Sequence, residues 1–146
     1  MKKFQILVIT IVCILTPNLM ADQSVEKIIK GRKALFSENY QTAKQIAILL
    51  KSEKFDEAIP LMKKISKNYL SLLDYFPENS KEGFKTEALP SIWENKKEFN
   101  ALMKKASDDM IELASTVETA NDIRAIQKKL MWGNCSSCHN KFRAPH

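Results

Sequence analysis

Residues 123–143, IRAIQKKLMWGNCSSCHNKFR, hold the pattern that decides the fold. The first half carries apolar residues at gaps of three and four, which is the spacing of one helical face: Ile123, Ile126 and Leu130. The second half contains CSSCH at residues 135–139. On a continuing helix the two cysteines, the histidine and Phe142 share one face, because they lie three or four residues apart. The stretch therefore predicts a C-terminal helix that presents thiols and an imidazole along one side.

Three earlier segments repeat the helical spacing and complete the predicted fold. They span residues 25–50, 56–76 and 90–117. Pro77 ends the second helix, Pro90 opens the third, and Asn121 or Asp122 caps the fourth. The chain shows no two-residue alternation long enough for a strand, and three glycines are few for a many-stranded protein. We predict an all-α, antiparallel four-helix bundle with the CSSCH motif near the C-terminus of the fourth helix.

The first 21 residues are typical of a secretory leader. A basic start precedes an uncharged, mostly apolar run at residues 4–15, and Ala21 offers a cleavage point. The apolar run is shorter than the roughly 20 residues that span a bilayer. Leu19 is larger than the usual residue at its position, so an uncleaved anchor is the alternative. We expect export to the periplasm, loss of Cys13 with the leader, and a mature chain with no membrane span.

Length and charge limit what the mature chain can be. Residues 22–146 allow one domain, and 45% hydrophobic with 27% charged residues is typical of a globular protein. Loss of Lys2 and Lys3 lowers the net charge from +6 to +4. The remaining lysines are spread along the helices without a basic block or interleaved aromatic residues. This distribution does not favour a nucleic-acid partner.

The Cys-x-x-Cys-His motif is the attachment signature of c-type haem. Two thiols add across the two vinyl groups, and the adjacent imidazole of His139 ligates the iron. A zinc site would need two more ligands, and His146 is the one other histidine. A disulfide or redox pair is the third reading, although a redox motif normally follows a strand. We predict one covalent haem c on Cys135 and Cys138 with His139 as the axial iron ligand.

Arg32 is the second informative residue, because it lies on the apolar face of the first helix. A buried guanidinium needs an anion or a path to water. Its stem could pack while its head reaches the surface, or its planar fork could bind a haem propionate. Gly31 beside it lowers helix propensity and would permit close approach of the cofactor or another helix.

Together these residues resemble the cytochrome c′ family over nearly the whole mature chain. The resemblance is carried by three groups: Gly31-Arg32 with Leu35-Phe36, residues 88–93 (ALPSIW), and the haem motif followed by Phe142-Arg143. It implies an antiparallel four-helix bundle, a C-terminal covalent haem and homodimers through the first two helices. It also implies high-spin iron with histidine on one side and no protein ligand on the other.

The resemblance assigns roles to individual positions. Arg32 would meet a propionate, and Thr86 and Glu87 would lie near the haem edge. Phe36, with Leu35, would cover the distal face of the haem. The remaining assignments are packing contacts with the haem: Phe142 and Arg143.

The coordination of the iron can be predicted from the first helix. Low-spin relatives of this bundle use a methionine from that helix as sixth ligand, whereas residues 22–61 contain no Met, His or Cys. We therefore expect five-coordinate iron with an apolar distal pocket open to small uncharged gases. A six-coordinate, low-spin shuttle stays open through methionines on other helices: Met62, Met103, Met110 and Met131.

These features predict an electron carrier that exchanges electrons with redox partner proteins and binds nitric oxide or carbon monoxide, and is not an enzyme. A peroxidase or nitric oxide reductase is the alternative of another class. The sequence shows no distal His and Arg pair to serve as acid–base catalyst for it.

Overall fold

The computed structural model describes residues 17–145, with side chains from residue 24. Most of the predicted leader, including Cys13, lies outside the described residues, as does His146. The helices are α1 (Pro17–Lys51), α2 (Phe55–Leu72), α3 (Ser91–Glu94), α4 (Lys96–Thr116), α5 (Ile123–Gln127) and α6 (Gly133–Phe142). Within this part of the chain there is no strand, only an isolated bridge between Ala88 and Arg143. The predicted all-α four-helix bundle is confirmed.

Three predicted helices are interrupted, each for a local reason. The second helix ends at Leu72 and continues as a 3₁₀ turn, Leu73–Tyr75. Phe76 leaves helical geometry (φ −129°, ψ 53°) because the residue before a proline is disfavoured there. The third breaks at Asn95 (φ −119°, ψ 41°), whose side-chain amide donates to the Ser91 carbonyl at 3.2 Å. Such side-chain bonds to the backbone compete with helix formation.

The fourth helical segment begins as expected and then widens. Asp122 caps it, accepting a hydrogen bond from the Ala125 N–H at 3.0 Å. A π-helical turn, Lys128–Trp132, separates α5 from α6. One extra residue in a turn rotates everything downstream by about 100° relative to an uninterrupted α-helix. The face that α6 presents to the bundle therefore depends on this turn as well as on the spacing of its own residues.

The core consists of two clusters. The aliphatic cluster packs α1, α2, α4 and the π turn: Ala43, Ile46, Leu49, Leu50, Ala58, Met62, Ile65, Met110, Leu113, Val117, Leu130 and Met131. The aromatic cluster packs the end of α2, Phe76 and α3 against α4 and α6: Leu72, Phe76, Ile92, Trp93, Phe99, Met103 and Phe142. A large cavity is lined by members of both clusters.

None of the helices described between residues 17 and 145 combines the length and apolar character needed to cross a membrane.

Candidate haem-binding site

The cavity has a volume of about 880 Å³, within the range of pockets that hold small molecules and cofactors. Its walls come from α1, α2, α4, α6 and the loop before α3. One wall is formed by α1, which contributes Arg32, Phe36, Asn39 and other residues. Another is formed by α6, which contributes the whole reactive face predicted from its spacing: Cys135, Cys138, His139 and Phe142.

The two thiols of α6 are partly buried and not joined to each other. The Tyr69 hydroxyl lies 4.0 Å from Cys135 Sγ. Burial raises the pKa of the Cys135 thiol, and burial together with the neighbouring Cys135 raises the pKa of Cys138 to about 11. A catalytic redox pair needs the opposite, a lowered pKa that exposes a thiolate nucleophile. The raised pKa values therefore show no activated thiolate of the kind that a redox pair uses.

The zinc alternative finds no support in the described residues. Between residues 17 and 145 there is no group of three or more His, Cys, Asp or Glu side chains placed to hold a metal ion. His146, the further ligand considered from the sequence, lies outside the described residues.

The loop before α3 is fastened to the end of α6. Leu89 N–H donates to the Phe142 carbonyl at 3.1 Å, and Ala144 N–H donates to the Glu87 carbonyl at 2.8 Å. These bonds flank the isolated bridge and hold the loop at the cavity. As a result Thr86, Glu87 and Arg143 all line it.

Arg32 lies at the same edge and is 2% exposed. Its Nη1 donates to the Tyr75 carbonyl at 3.2 Å and to Ser80 Oγ at 3.0 Å. Its Nη2 donates to the Ser80 carbonyl at 2.9 Å and to Thr86 Oγ1 at 2.6 Å. The guanidinium also stacks over the Phe76 ring, 4.7 Å from its centroid. The alternative in which the head reaches the surface is therefore wrong.

The four hydrogen-bond acceptors of Arg32 are uncharged, because all four of these acceptors are neutral oxygens. Burial lowers the pKa of Arg32 to about 10, since desolvation disfavours the cation. A buried cation without an anion is costly. An acidic group entering the cavity at this edge would relieve that cost.

The two α1 residues predicted to cover the distal face of the haem, Phe36 and Leu35, have different surroundings in the structure. Phe36 lines the cavity, whereas Leu35 lies outside the lining and packs against the aromatic cluster. Among the methionines left open as sixth ligands, Met62 is buried in the aliphatic cluster and does not line the cavity. The other three line it and are at most 3% exposed: Met103, Met110 and Met131.

Comparison with known proteins accounts for this arrangement. The family model described as "Cytochrome C'" matches residues 27–143. The chain belongs to the cytochrome c′ family. The cytochrome c′ of Rhodopseudomonas palustris is 36% identical over 120 residues, which are 80% of this chain and 82% of that protein.

Solved structures agree with the family assignment. Cytochrome c′ from Rhodopseudomonas palustris superposes with a TM-score of 0.70 at 33% identity, covering 82% of this chain and 97% of that one. A ferrous variant of the Alcaligenes xylosoxidans protein with bound nitric oxide shares the fold, with a TM-score of 0.71. It is 14% identical and covers 84% of this chain and 97% of its own.

Cytochromes c′ carry covalently bound haem c, and haem c is the cofactor of this chain. The residues at the cavity suit it. Two free thiols and an imidazole lie on one wall, and a buried guanidinium that is hydrogen-bonded to neutral oxygens lies at one edge. A haem brings two vinyl groups, an iron and two propionates, which are the groups that these side chains can engage.

Sequence reasoning missed the side chains that anchor α6 to α4. Asn134 Nδ2 donates to Asp109 Oδ2 at 2.6 Å and to the Leu130 carbonyl at 2.7 Å. Asp109 is 6% exposed and pairs with Lys105. The residue that precedes the first cysteine is thus tied to the neighbouring helix. A signal was present, because Asp109 interrupts the apolar face of its helix as Arg32 does on α1.

Ser80 was also missed, and it had no such signal. It is fully buried at 0% exposure and supplies two of the four acceptors for Arg32. It lies in an irregular segment, the 3₁₀ turn Glu78–Ser80, where the spacing of residues does not predict which side chains point into the protein. A buried loop serine of this kind is found only once the loop is placed.

Proposed function

We propose that this chain is an exported c-type cytochrome that transfers electrons and binds nitric oxide or carbon monoxide at a five-coordinate, high-spin haem. The observation that carries the proposal is the cavity itself. One wall, α6, presents two thiols and His139, while α1 contributes Phe36 and no methionine, histidine or cysteine. The cavity therefore has the haem-attachment residues on its α6 wall and no side chain of the usual iron-ligand types on its α1 wall.

Different residues of the chain would attach the cofactor, ligate its iron, pair with a propionate and pack against it. The thiols of Cys135 and Cys138 would form the two thioethers by adding S–H across each vinyl group, and His139 would be the axial ligand. Arg32 would pair with a propionate, with Thr86 Oγ1 and the nearby Glu87 at the same edge. Additional packing would come from two residues at the end of α6: Phe142 and Arg143.

The haem supplies a one-electron couple and an iron that binds diatomic gases. The protein's part is to crowd the α1 side of the site. Phe36 stands in that wall, edge-on to Phe76 with centroids 6.4 Å apart. The nitric oxide complex of the Alcaligenes xylosoxidans protein, which shares this fold, supports gas binding as the function.

One observation favours a second candidate, a six-coordinate electron shuttle. Met103, Met110 and Met131 line the cavity, and a thioether is a known sixth ligand of haem iron. All three are deeply buried members of the two core clusters, however, and each is accounted for by packing. The spectrum described below separates the two states.

We infer that the chain is an electron carrier and not an enzyme. A haem peroxidase or reductase needs a mobile acid–base group near the bound substrate. Arg32, the cation at the cavity edge, has both Nη groups engaged in hydrogen bonds and stacks on Phe76. A guanidinium held in this way is suited to binding an anion rather than to moving a proton.

Location and assembly follow from the leader and from the surface. We infer cleavage after Ala21, a periplasmic mature protein and exchange of electrons with partner proteins there. A homodimer through α1 and α2 is supported by exposed apolar side chains on these helices: Tyr40 (54%), Ile48 (67%) and Leu70 (47%). Sedimentation equilibrium of the mature protein tests the dimer.

The visible spectrum of the reduced protein, with and without carbon monoxide, tests the coordination. We expect a high-spin ferrous spectrum that shifts when carbon monoxide is added. A sharp low-spin α-band that carbon monoxide leaves unchanged would establish the six-coordinate alternative. Haem that stays with the polypeptide in denaturant establishes covalent attachment, and haem released from it would contradict the attachment residues.

The distal assignment is tested by Phe36→Ala with Leu35→Ala as its matched control. Removing the ring from the cavity wall should speed carbon monoxide association by about tenfold, the effect of lowering the barrier by about 1.4 kcal/mol. Leu35 lies outside the lining, so its truncation should leave the rate near that of the parent. Flash photolysis measures both. Equal rates in the two variants would refute the role given to Phe36.

A further inference from the structure

A widened turn in the fourth helical segment lies directly before the haem-attachment residues. In this π turn, Lys128–Trp132, the Gly133 N–H donates to the Lys128 carbonyl, five residues back instead of four. Turns of this kind often occur at functional sites. One residue more or fewer in the turn would rotate α6 by about 100° about its axis. The side chains that hold the turn therefore help to decide which side of α6 lines the cavity.

One side-chain nitrogen joins this turn to α4. Asn134 Nδ2 donates to the Leu130 carbonyl in the turn at 2.7 Å and to Asp109 Oδ2 on α4 at 2.6 Å. An amide nitrogen carries two hydrogens, so both are used. Side-chain bonds to the carbonyl four residues back compete with the backbone bonds of a helix and often bend it. We call the pair Asp109 and Asn134 the α4–α6 tether.

The α4 half of the tether is a buried carboxylate. Asp109 is 6% exposed and precedes Met110, which lines the cavity. Burying a carboxylate is costly unless it is paired and hydrogen-bonded. Lys105, one turn earlier on α4, supplies the opposite charge from a side chain that is 58% exposed. Because a carboxylate can only accept hydrogen bonds, it fixes the orientation of the Asn134 amide.

The tether adjoins the residues that would carry the haem. Cys135 follows Asn134 directly, and Cys135, Cys138 and His139 all line the cavity. Because α6 would hold the haem at three points, a rotation of α6 would carry the haem and its axial ligand along together. The bond from His139 to the iron would change little. The distance between the haem and Phe36 on the α1 wall would change more.

We propose that Asp109 is a positioning residue for the haem. Acting through Asn134, it fixes the rotation of α6 and so sets how tightly Phe36 crowds the open side of the iron. This inference rests on the proposed function, because it assumes a haem on α6 and an open coordination position on the α1 side. It makes α4 a control element for gas binding through a residue that does not itself line the cavity.

The test compares Asn134→Ala with Ser137→Ala in purified, haem-loaded protein. Ser137 is exposed, lies outside the cavity lining and donates to the Gly133 carbonyl at 2.9 Å. Both changes thus remove a side-chain bond to the carbonyl four residues back, and the first also removes the bond to α4. Carbon monoxide association, followed by flash photolysis, should be about fivefold faster in Asn134→Ala, if part of the free energy of one hydrogen bond is felt at the barrier. Ser137→Ala should match the parent.

A double-mutant cycle with Phe36→Ala shows whether the tether acts through crowding of the iron. With the Phe36 ring removed, adding Asn134→Ala should speed association no further, because the two changes act on one contact. Fully additive effects would contradict the inference. The iron–histidine stretching frequency of the ferrous protein should stay at the parent's value in Asn134→Ala, since His139 moves with the haem. A shifted frequency would place the effect on the histidine side and also overturn the inference.

Variants of Asp109 separate the tether from a folding defect. Asp109→Leu should reproduce the faster association, whereas Asp109→Asn keeps an oxygen that accepts from Asn134 and should keep the parent's rate. Equal rates in the two Asp109 variants would contradict the tether while leaving gas binding intact. A parent protein that binds no carbon monoxide would instead overturn the proposed function, and this inference with it.

Discussion

The two walls of the cavity differ in how their functional residues are arranged along the sequence. The α6 wall uses a contiguous motif in which every reactive atom belongs to a five-residue segment of one helix. The α1 wall carries single polar side chains, Arg32 and Asn39, beside Phe36, and each polar group is held by residues distant in the sequence. The first kind of site survives most changes elsewhere in the chain. The second depends on a loop and on a neighbouring helix being in place.

Loss of the thiols should produce the largest effect. In the double variant Cys135→Ser/Cys138→Ser no thioether can form, so haem should separate completely from the denatured polypeptide. A haem stain of a denaturing gel measures this. Each single variant should retain one thioether and a stained band. Stain retained by the double variant would show that the haem is attached elsewhere.

Arg32→Leu comes next, because it acts on the wall that depends on long-range contacts. Removing the guanidinium leaves a propionate without its counter-charge and Ser80 without its partner. Removing one member of a buried charge pair costs about 3–5 kcal/mol. Urea unfolding of the haem-loaded protein, monitored by circular dichroism, gives the free energy of unfolding.

Arg32→Lys is the control for charge in that experiment. It keeps a cation but cannot form the fork that binds Ser80 and Thr86 together, so its stability should fall between those of the parent and the leucine variant. If Arg32→Leu were as stable as the parent, the guanidinium would have no anionic partner in the loaded protein.

The same contrast explains what could be predicted from the sequence. The bundle and the face of α6 follow from residue spacing, since side chains on one helix are related by a fixed rotation. Arg32 could be predicted as a site residue because a charged group on an apolar helix face is costly to bury without a partner. The acceptors of Arg32 could not be predicted, because Ser80 lies in a 3₁₀ turn whose position depends on tertiary packing. The hydrogen bond that Asn39 Oδ1 accepts from Asn68 Nδ2 likewise required the position of α2.

Gly31→Ala should change the free energy of unfolding less than Arg32→Leu does. It tests whether the close contact of Gly31 with Tyr75 outweighs the higher helix propensity of alanine. A Cβ at residue 31 would lie 2.5 Å from Tyr75 Cε1, so the Tyr75 ring must move. Overpacking of this kind costs about 1–3 kcal/mol, which outweighs the gain of about 1 kcal/mol from helix propensity. We expect a net loss of about 1 kcal/mol in urea unfolding.

Gly133→Ala is the matched control at the start of α6. Its Cβ would meet the Lys128 carbonyl at 3.6 Å, an ordinary contact. Propensity should then dominate, and this variant should gain up to about 1 kcal/mol. Equal changes of one sign in the two glycine variants would contradict the role given to Tyr75.

Glu38→Gln should have the smallest effect and probes the contacts that Lys64 and Asn68 on α2 make with the Glu38 carboxylate on α1. Hydrogen bonds from Lys64 and then Asn68 hold the pKa of the exposed Glu38 carboxyl below its usual value of 4.5. A lowered folded-state pKa stabilises the fold at pH values above 4.5, and this contribution disappears as the pH falls through the lowered value. The parent should therefore exceed the variant slightly in stability at neutral pH, and the difference should close in acid. Thermal unfolding between pH 3 and pH 7 follows it, and a difference that widens in acid would mean that the carboxylate is not the acceptor that orients Asn68.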